Sequence, residues 1–301
     1  MGVRGPETSR SARGNAMKWI HAAFIGLIIV ALVGYFAARS FAIARAEGAL
    51  IELHPKGPAT PADFGLPFQE LTIASGERRL DAALVHAPAT CNRPAALLIF
   101  HGRGETISDW AKAQAWLSGQ CISSIVFDYA GHGSSTGEAH ISALNEDAAA
   151  AYRAFAARFP GPVRRCVLGH SMGNAPMLQA YPSFEPAPDC VVDANAFSSV
   201  ADMAAAGGAP GPLLFLLHGV WDNKTAIVAV HAPLMVIHSD ADEVVSPAVG
   251  ERLAAAAPSG VRSVTVHGYG HDALYEHPAD GWWSPVVAFI RPPLAAVAPS
   301  H

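Results

Sequence analysis

Ser171 stands between two glycines in the stretch Gly169-His170-Ser171-Met172-Gly173, which has the pattern Gly-x-Ser-x-Gly. A serine hydroxyl is a weak nucleophile, so an enzyme must expose its oxygen and supply a neighbouring base. An apolar run leads into the stretch from Val163, and a run compatible with a helix follows from Ala175. A tight turn between strand and helix needs small residues on both sides of the serine. The stretch therefore predicts a nucleophile turn, with the Met172 amide directed at the oxygen that becomes negative in the reaction.

A base and an orienting carboxylate are expected in the chain order serine, acid, histidine. Asp242 lies four residues after the predicted strand Leu234–His238, and His271 lies four residues after the predicted strand Val261–His267. We expect His271 to act as general base and acid, and Asp242 to fix its tautomer. Asp240 competes with Asp242 for that role, because it follows the same strand.

Alternating strand and helix patterns must position these residues. Such alternation gives a mostly parallel sheet covered on both faces, with the functional site at the carboxyl ends of the strands. The predicted strands are Phe68–Ala74, Leu80–Ala87, Ala95–His101, Ile122–Asp128, Val163–Leu168, Cys190–Ala196, Leu234–His238 and Val261–His267, and the predicted helices are Ser108–Gly119, Ile141–Phe159, Ala175–Tyr181, Pro247–Ala257 and Trp282–Ile290.

Trp19–Ala38 is a stretch of twenty residues without a formal charge. As a helix it spans roughly 30 Å, the thickness of a hydrocarbon core. Basic residues dominate before it, which predicts a cytoplasmic tail (1–18), a transmembrane signal-anchor helix (19–38) and export of everything that follows. A linker (39–64), a catalytic domain (65–292) and a tail (293–301) complete this prediction. A signal peptide cleaved at Ala44-Arg45-Ala46, giving a secreted protein, is the alternative.

Charge and cysteine content exclude other classes. The net charge of −5 offers no basic surface for nucleic acid. The four cysteines lack Cys-x-x-Cys spacing, which disfavours zinc, and export permits disulfides. Each cysteine precedes a predicted strand, so all four are expected at the end of the sheet opposite Ser171.

Two further patterns are set aside. The run from Gly131 to Gly137 suggests a dinucleotide loop, but its third glycine is misplaced, and we interpret it as a structural turn. His267 and His271 have the i, i+4 spacing of metal ligands, but the glycines between them exclude the helix that this spacing requires. We expect neither a cofactor nor a metal.

From about residue 65 to 292 the chain resembles the α/β-hydrolase fold. Within that fold it is similar to the small-lid serine hydrolases of the Bem46-like group, which includes the mammalian membrane-tethered ABHD hydrolases. The strings that carry the resemblance are Phe100-His101-Gly102-Arg103-Gly104, Asp128-Tyr129-Ala130-Gly131-His132-Gly133-Ser134-Ser135-Thr136-Gly137, Gly169-His170-Ser171-Met172-Gly173, Trp221-Asp222-Asn223, His238-Ser239-Asp240-Ala241-Asp242-Glu243-Val244-Val245 and Gly268-Tyr269-Gly270-His271.

The resemblance implies an eight-stranded, mostly parallel sheet with helices on both faces and a short lid at about 198–232. It aligns the acid with Asp242 and makes Cys91–Cys121 and Cys166–Cys190 reasonable disulfides through its strand order. We assign the Arg103 amide as the second oxyanion donor beside Met172. The Arg103 side chain is either solvated or bound to an anionic substrate group. Residues His101, Gly102 and His170 are assigned to substrate binding.

The predicted activity is serine hydrolysis of a carboxylic ester or thioester, with an amide as a further option, through an acyl-enzyme. The substrate is a small-molecule or lipid acyl compound. The apolar lid is either an ordinary helix on the core or an acyl-binding wall. An acyltransferase with the same triad, a non-catalytic membrane-tethered scaffold and a lipid-handling protein at the membrane surface are the alternatives.

Overall fold

Eight strands form one sheet in the computed structural model, which describes residues 8–291. They are β1 Gln69–Ser75, β2 Arg78–Val85, β3 Ala95–Phe100, β4 Ile122–Phe127, β5 Arg164–His170, β6 Cys190–Ala194, β7 Leu234–Ser239 and β8 Arg262–Val266. The strand order is β1-β2-β4-β3-β5-β6-β7-β8. The pairs β1–β2 and β2–β4 are antiparallel and the other five are parallel. The predicted eight-stranded, mostly parallel sheet is confirmed.

Helices connect these strands. They are α1 Thr8–Leu50, α2 Ala111–Gly119, α3 Ile141–Arg158, α4 Asn174–Ala180, α5 Val200–Ala206, α6 Gly211–Leu217, α7 Asn223–Ala226, α8 Pro247–Ala256, α9 Ala273–Glu276 and α10 Ser284–Ile290. The three short helices α5 to α7 fall in the predicted lid region. Each predicted helix is present with ends shifted by a few residues, as expected for boundaries that depend on tertiary contacts.

The core lies on both faces of the sheet, because β3 and β4 are buried along their whole length. On one face, α2 and α10 pack with Trp110 against Leu97 and Ile99. On the other face, Phe100 stacks on Phe184, which in turn stacks on the ring of Tyr152 in α3. The sheet is therefore a rigid platform whose strand ends carry the polar residues.

Helix α1 belongs mainly to a separate compact unit that ends at Arg45. Its part from Met17 to Leu50 is long and apolar enough to cross a membrane, a test that a signal sequence also passes. The sequence predicted a helix only over 19–38, but α1 extends beyond both ends because the flanking alanines and charged residues are good helix formers. The predicted tails lie partly (1–7) or wholly (293–301) outside the described residues.

The segment after α1 is attached to the domain that contains the sheet, and the sequence predicted a linker there. Lys56 Nζ lies 2.9 Å from Asp81 Oδ2, and the Ser108 hydroxyl donates to the Gly57 carbonyl at 2.7 Å. Glu52 pairs with the Arg103 guanidinium at 2.8 Å. The partners of this segment come from distant parts of the chain, so its composition alone could not reveal the contacts.

Two disulfides lie at the amino ends of the parallel strands. Cys91 is bonded to Cys121, and Cys166 is bonded to Cys190. The second pair joins residues that are direct partners in the β5–β6 register. Both predicted pairings are confirmed, and they place the cross-links at the edge of the sheet opposite Ser171.

Candidate active site

Ser171 occupies the turn between β5 and α4. Its φ of 51° lies in the left-handed region, which is strained for a residue with a side chain. A Cβ on Gly173 would lie 2.1 Å from the Phe100 carbonyl oxygen, and one on Gly169 would lie 2.7 Å from the Asn174 Cα. Both positions therefore require glycine, which explains the pattern around the serine in physical terms.

His271 and Asp242 meet at the same edge of the sheet. The His271 Nδ1 lies 2.7 Å from Asp242 Oδ2, and both side chains are buried. Since a carboxylate only accepts, Nδ1 carries the hydrogen of this bond, and the neutral form of the ring has its lone pair on Nε2. The other oxygen, Asp242 Oδ1, accepts from the Val244 and Val245 amides at 2.9 and 2.8 Å. Asp242 is thus fixed from both sides.

The environment decides the charge of Asp242. Burial pushes its pKa upward, but the hydrogen bond and charge of His271 and the two backbone amides outweigh burial. The pKa of Asp242 is therefore held below its usual value, and the carboxylate is ionised at neutral pH. An ionised acid in this position stabilises a protonated His271.

His271 lies next to the serine turn. The His170 ring, which immediately precedes Ser171, has its Nε2 3.1 Å from the His271 carbonyl oxygen, and the two imidazole centroids are 4.8 Å apart. Within the described residues, no hydrogen bond joins the Ser171 hydroxyl to His271. Catalytic hydrogen bonds commonly form only once substrate is bound.

The two predicted oxyanion donors are backbone amides near this turn. In the described part of the chain, neither the Arg103 amide nor the Met172 amide donates to a backbone carbonyl in a turn or loop. The Arg103 side chain points to Glu52. Its guanidinium is therefore paired within the protein, which weakens the reading in which it binds an anionic substrate group.

The side chains of His101 and His170, predicted to bind substrate, are fully buried. A Cβ on Gly102 would lie 2.1 Å from Glu105 Oε1, so this loop and Glu105 are in close contact. His101 lies 3.5 Å from Asp128, and burial lowers its pKa to about 4. His101 is thus neutral at physiological pH, and its role in substrate binding stays a prediction.

Two residues of the site were missed by the sequence reasoning. Glu105 is buried and bonded to His170, and the side-chain nitrogen Nδ2 of Asn195 donates to the His271 carbonyl oxygen at 2.9 Å. Asn195 has a φ of 47°, a conformation in which asparagine is enriched. Two signals in the sequence could have identified them. Glu105 is a carboxylate three residues after Gly102, and Asn195 is an asparagine directly after a buried strand.

Two other features do not alter the site. His170, His271 and Asp272 offer ligand atoms within 4.8 Å of one another, but His170 has both nitrogens facing protein acceptors and His271 has Nδ1 bound to Asp242.

A cavity of about 530 Å³ lies at the opposite edge of the sheet, beside Ala95 and Arg164, the first residues of β3 and β5. Among the described residues that line this cavity, none is a nucleophile paired with a base, so the candidate site is the one at the carboxyl ends of the strands.

The predicted lid region contains the short helices α5, α6 and α7. In α6 only Leu217 is buried, and Phe215 is 65% exposed. A cavity of about 360 Å³ lies beside α5 and α6 and is lined by Ala201, Leu214 and Phe215 among others. Both expectations for this segment, a helix packed on the core and an acyl-binding wall, stay predictions.

Known proteins resemble this chain in sequence. Residues 92–224 match the family model of the serine aminopeptidases, S33. An uncharacterized protein of Mycobacterium tuberculosis, Rv2307c, is 29% identical over 225 residues, which cover 74% of this chain and 79% of that protein.

Solved structures of hydrolases share the fold. Esterase Pf2001 of Pyrococcus furiosus is 17% identical with a TM-score of 0.61, over 79% of this chain and 98% of that one. A serine hydrolase without lid from Xanthomonas campestris, XC6422, is 18% identical with a TM-score of 0.56, over 78% and 98% of the two chains. The sheet topology, the strained serine turn and these similarities agree, and the chain has the α/β-hydrolase fold.

Proposed function

We propose that this protein is a serine hydrolase that cleaves carboxylic esters or thioesters through an acyl-enzyme. Ser171 is the nucleophile, His271 the general base and acid, and Asp242 the orienting carboxylate. One observation carries the proposal. A serine in a strained turn and a buried Asp–His pair from two other loops come together at one edge of the sheet. Ordinary packing does not require that combination.

The reaction follows from the protonation states. The Ser171 hydroxyl gives its proton to His271 Nε2 as its oxygen bonds to the carbonyl carbon, and the carbonyl oxygen becomes an anion. The Met172 and Arg103 amides stabilise that anion. When the intermediate collapses, the carbon–oxygen or carbon–sulfur bond breaks and His271 returns the proton to the leaving group. Water then attacks the acyl group by the same route and releases the acid.

The apolar surface of the predicted lid region supports an acyl substrate. Helix α6 carries consecutive leucines and the exposed Phe215 beside a cavity of about 360 Å³. Exposed apolar surface of this kind favours contact with an acyl chain. The ferulic acid-bound esterase Est1E of Butyrivibrio proteoclasticus shares the fold with a TM-score of 0.58 and 15% identity. A carboxylic acid product is therefore compatible with this scaffold.

We also propose that the catalytic domain lies outside the cytoplasm, held by α1. The support is the pair of disulfides, because structural disulfides persist in oxidising compartments. A protease added outside intact cells should digest the domain if it is anchored and exported. Free thiols at all four cysteines in protein purified without reductant would contradict export.

The proposal is tested by fluorophosphonate labelling of the full chain in detergent, with Ser171→Ala as the matched control. We expect the wild type to be labelled and the variant not. A p-nitrophenyl ester and the p-nitroanilide of the same acyl group then separate esterase from amidase activity. Absence of labelling in a folded wild type would contradict the activated serine and favour a scaffold, and acyl transfer to an added alcohol in excess of hydrolysis would favour an acyltransferase.

A further inference from the structure

Glu105 joins three loops of the proposed active site. Its Oε2 accepts from the Gly102 amide at 2.8 Å and from the Trp110 indole at 2.7 Å. Its Oε1 lies 2.8 Å from His170 Nδ1, and His170 Nε2 lies 3.1 Å from the His271 carbonyl oxygen. Glu105, Trp110 and His170 are buried. A continuous polar chain therefore runs from the oxyanion loop, past the residue before Ser171, to the loop of the base.

The hydrogen bonds determine the protonation of His170. A backbone carbonyl only accepts, so His170 Nε2 carries a hydrogen. The proton between His170 Nδ1 and Glu105 Oε1 belongs to one of these two atoms. Two N–H donors already point at the other oxygen of Glu105, and hydrogen bonds to a carboxylate favour its ionised form. His170 is then an imidazolium paired with a carboxylate.

The surrounding charges agree with this assignment. Burial alone lowers the pKa of His170, but the charge and hydrogen bond of Glu105, together with Asp272, raise it above its usual value. Burial raises the pKa of Glu105, but His170 outweighs burial and lowers it. The rings of Trp110, His271 and Tyr275 also face the His170 ring. Each partner therefore keeps the other ionised.

We propose that Glu105 and His170 form a buried, ionised pair that holds the oxyanion loop, the serine turn and the base loop in register. This inference rests on the proposed function. It assigns Glu105 and His170 as positioning residues. A charge-assisted hydrogen bond is roughly twice as strong as a neutral one, so the pair fixes these loops more tightly than a neutral pair would. It also replaces the predicted substrate contact of the His170 side chain.

The first test compares Glu105→Ala and Glu105→Gln in fluorophosphonate labelling rate and ester turnover by the full chain. A displacement of about 1 Å in a catalytic group can lower rates by about 100-fold. We expect about that loss for Glu105→Ala. We expect a smaller loss for Glu105→Gln, because an amide can keep the bonds to Gly102 and Trp110 while leaving His170 neutral. The loss should appear in kcat with KM little changed.

Asp147 provides a matched control. It is a buried carboxylate that accepts from the Ser75 hydroxyl at 2.6 Å, from Arg78 and from the Ala130 amide. It lies outside the proposed machinery. We expect Asp147→Ala to lower thermal stability while leaving the labelling rate of the folded protein unchanged. An equal loss of rate in Asp147→Ala and Glu105→Ala would overturn a specific role for Glu105.

A second measurement keeps the inference testable if the alanine variant does not fold. In wild type with ¹⁵N-labelled histidine, His170 should show hydrogens on both ring nitrogens at pH 8, with the resonances identified by their loss in His170→Gln. Glu105→Gln should convert His170 to a singly protonated ring. A singly protonated His170 in the wild type overturns the ionised pair, as does a wild-type labelling rate in Glu105→Gln and Glu105→Ala. Failure of the wild type to label would instead contradict the proposed function, and the NMR result would still stand.

Discussion

Two aspartate–histidine pairs connect the loops that follow β7 and β8. Asp242 and His271 are 2.7 Å apart, and so are Asp240 and His267. The side chains of the first pair are 0% and 5% exposed, whereas those of the second are 46% and 78% exposed. Both pairs consist of the same residue types, lie at the same distance and come from the same two loops, but one pair is buried and the other is exposed to water.

This difference shows that pairing alone does not make an aspartate a candidate catalytic group. His267 and the Gly268 amide hold the pKa of Asp240 below its usual value, just as His271 does for Asp242. What separates them is burial and position. The histidine of the buried pair lies against the residue before Ser171, while the other pair faces water, where charges are screened.

The largest expected effect is on activity. Asp242→Asn should lower the fluorophosphonate labelling rate by about 10,000-fold, because the amide no longer fixes the His271 tautomer. Asp240→Asn is the matched control and should label like the wild type. A large loss in Asp240→Asn with a small one in Asp242→Asn would reverse the assignment of the acid.

A third aspartate, Asp193, shows the state of a buried carboxyl group that lacks a histidine partner. Asp193 in β6 is fully buried, and neither of its carboxyl oxygens has a hydrogen-bond partner among the described residues. Burial raises its pKa to about 8. Asp193→Val should therefore stabilise the protein by about 2 kcal/mol at pH 7, since it removes an unpaired buried polar group.

The sign of the pH effect for Asp193 follows from its raised pKa. The folded state keeps a proton that the unfolded state loses near pH 3.8, so wild-type stability falls as the pH rises from about 4 to about 8. Asp193→Asn cannot ionise and should lack this slope in urea unfolding. An identical slope in wild type and Asp193→Asn would contradict a neutral buried acid.

Lowering the pH should reduce the contribution of the Asp242–His271 pair to stability, which is the opposite of its effect at Asp193. Because the pKa of Asp242 is lowered in the folded state, its contribution is complete above the ordinary value of 3.8 and is lost as the pH falls through the folded-state pKa. We expect wild type to exceed Asp242→Asn in unfolding free energy by about 1 kcal/mol at neutral pH. The gap should close in acid. A gap that persists well below pH 3.8 would show that packing, and not charge, is responsible.

The smallest effect is expected at the exposed pair. His267→Ala removes a partner of Asp240 that water and salt can replace, so the thermal midpoint and the labelling rate should both stay at the wild-type values. His271→Ala is the comparison and should abolish labelling. A clear fall in the thermal midpoint of His267→Ala would mean that the exposed pair holds the two loops together.

The sequence by itself determined the sheet, the serine turn and the residues at the strand ends. Periodicity and turn residues act over a few positions, and the chain order of Ser171, Asp242 and His271 follows directly from reading along it. The resemblance of the motifs to a known fold then supplied the strand order, and with it the two disulfides. The sheet and the serine turn were predictable from local patterns, whereas the strand order and the disulfides followed from the resemblance alone.

Only the tertiary structure decided which groups are buried together. Asp240 and Asp242 are two residues apart, and their local sequence does not say which one faces the serine turn. Glu105 and His170 are separated by 65 positions, so their pairing and the charge of His170 arise only when β3 and β5 lie side by side. The attachment of residues 51–64 likewise depends on partners far along the chain. Burial and electrostatic environment are properties of the folded surroundings, and a linear pattern does not contain them.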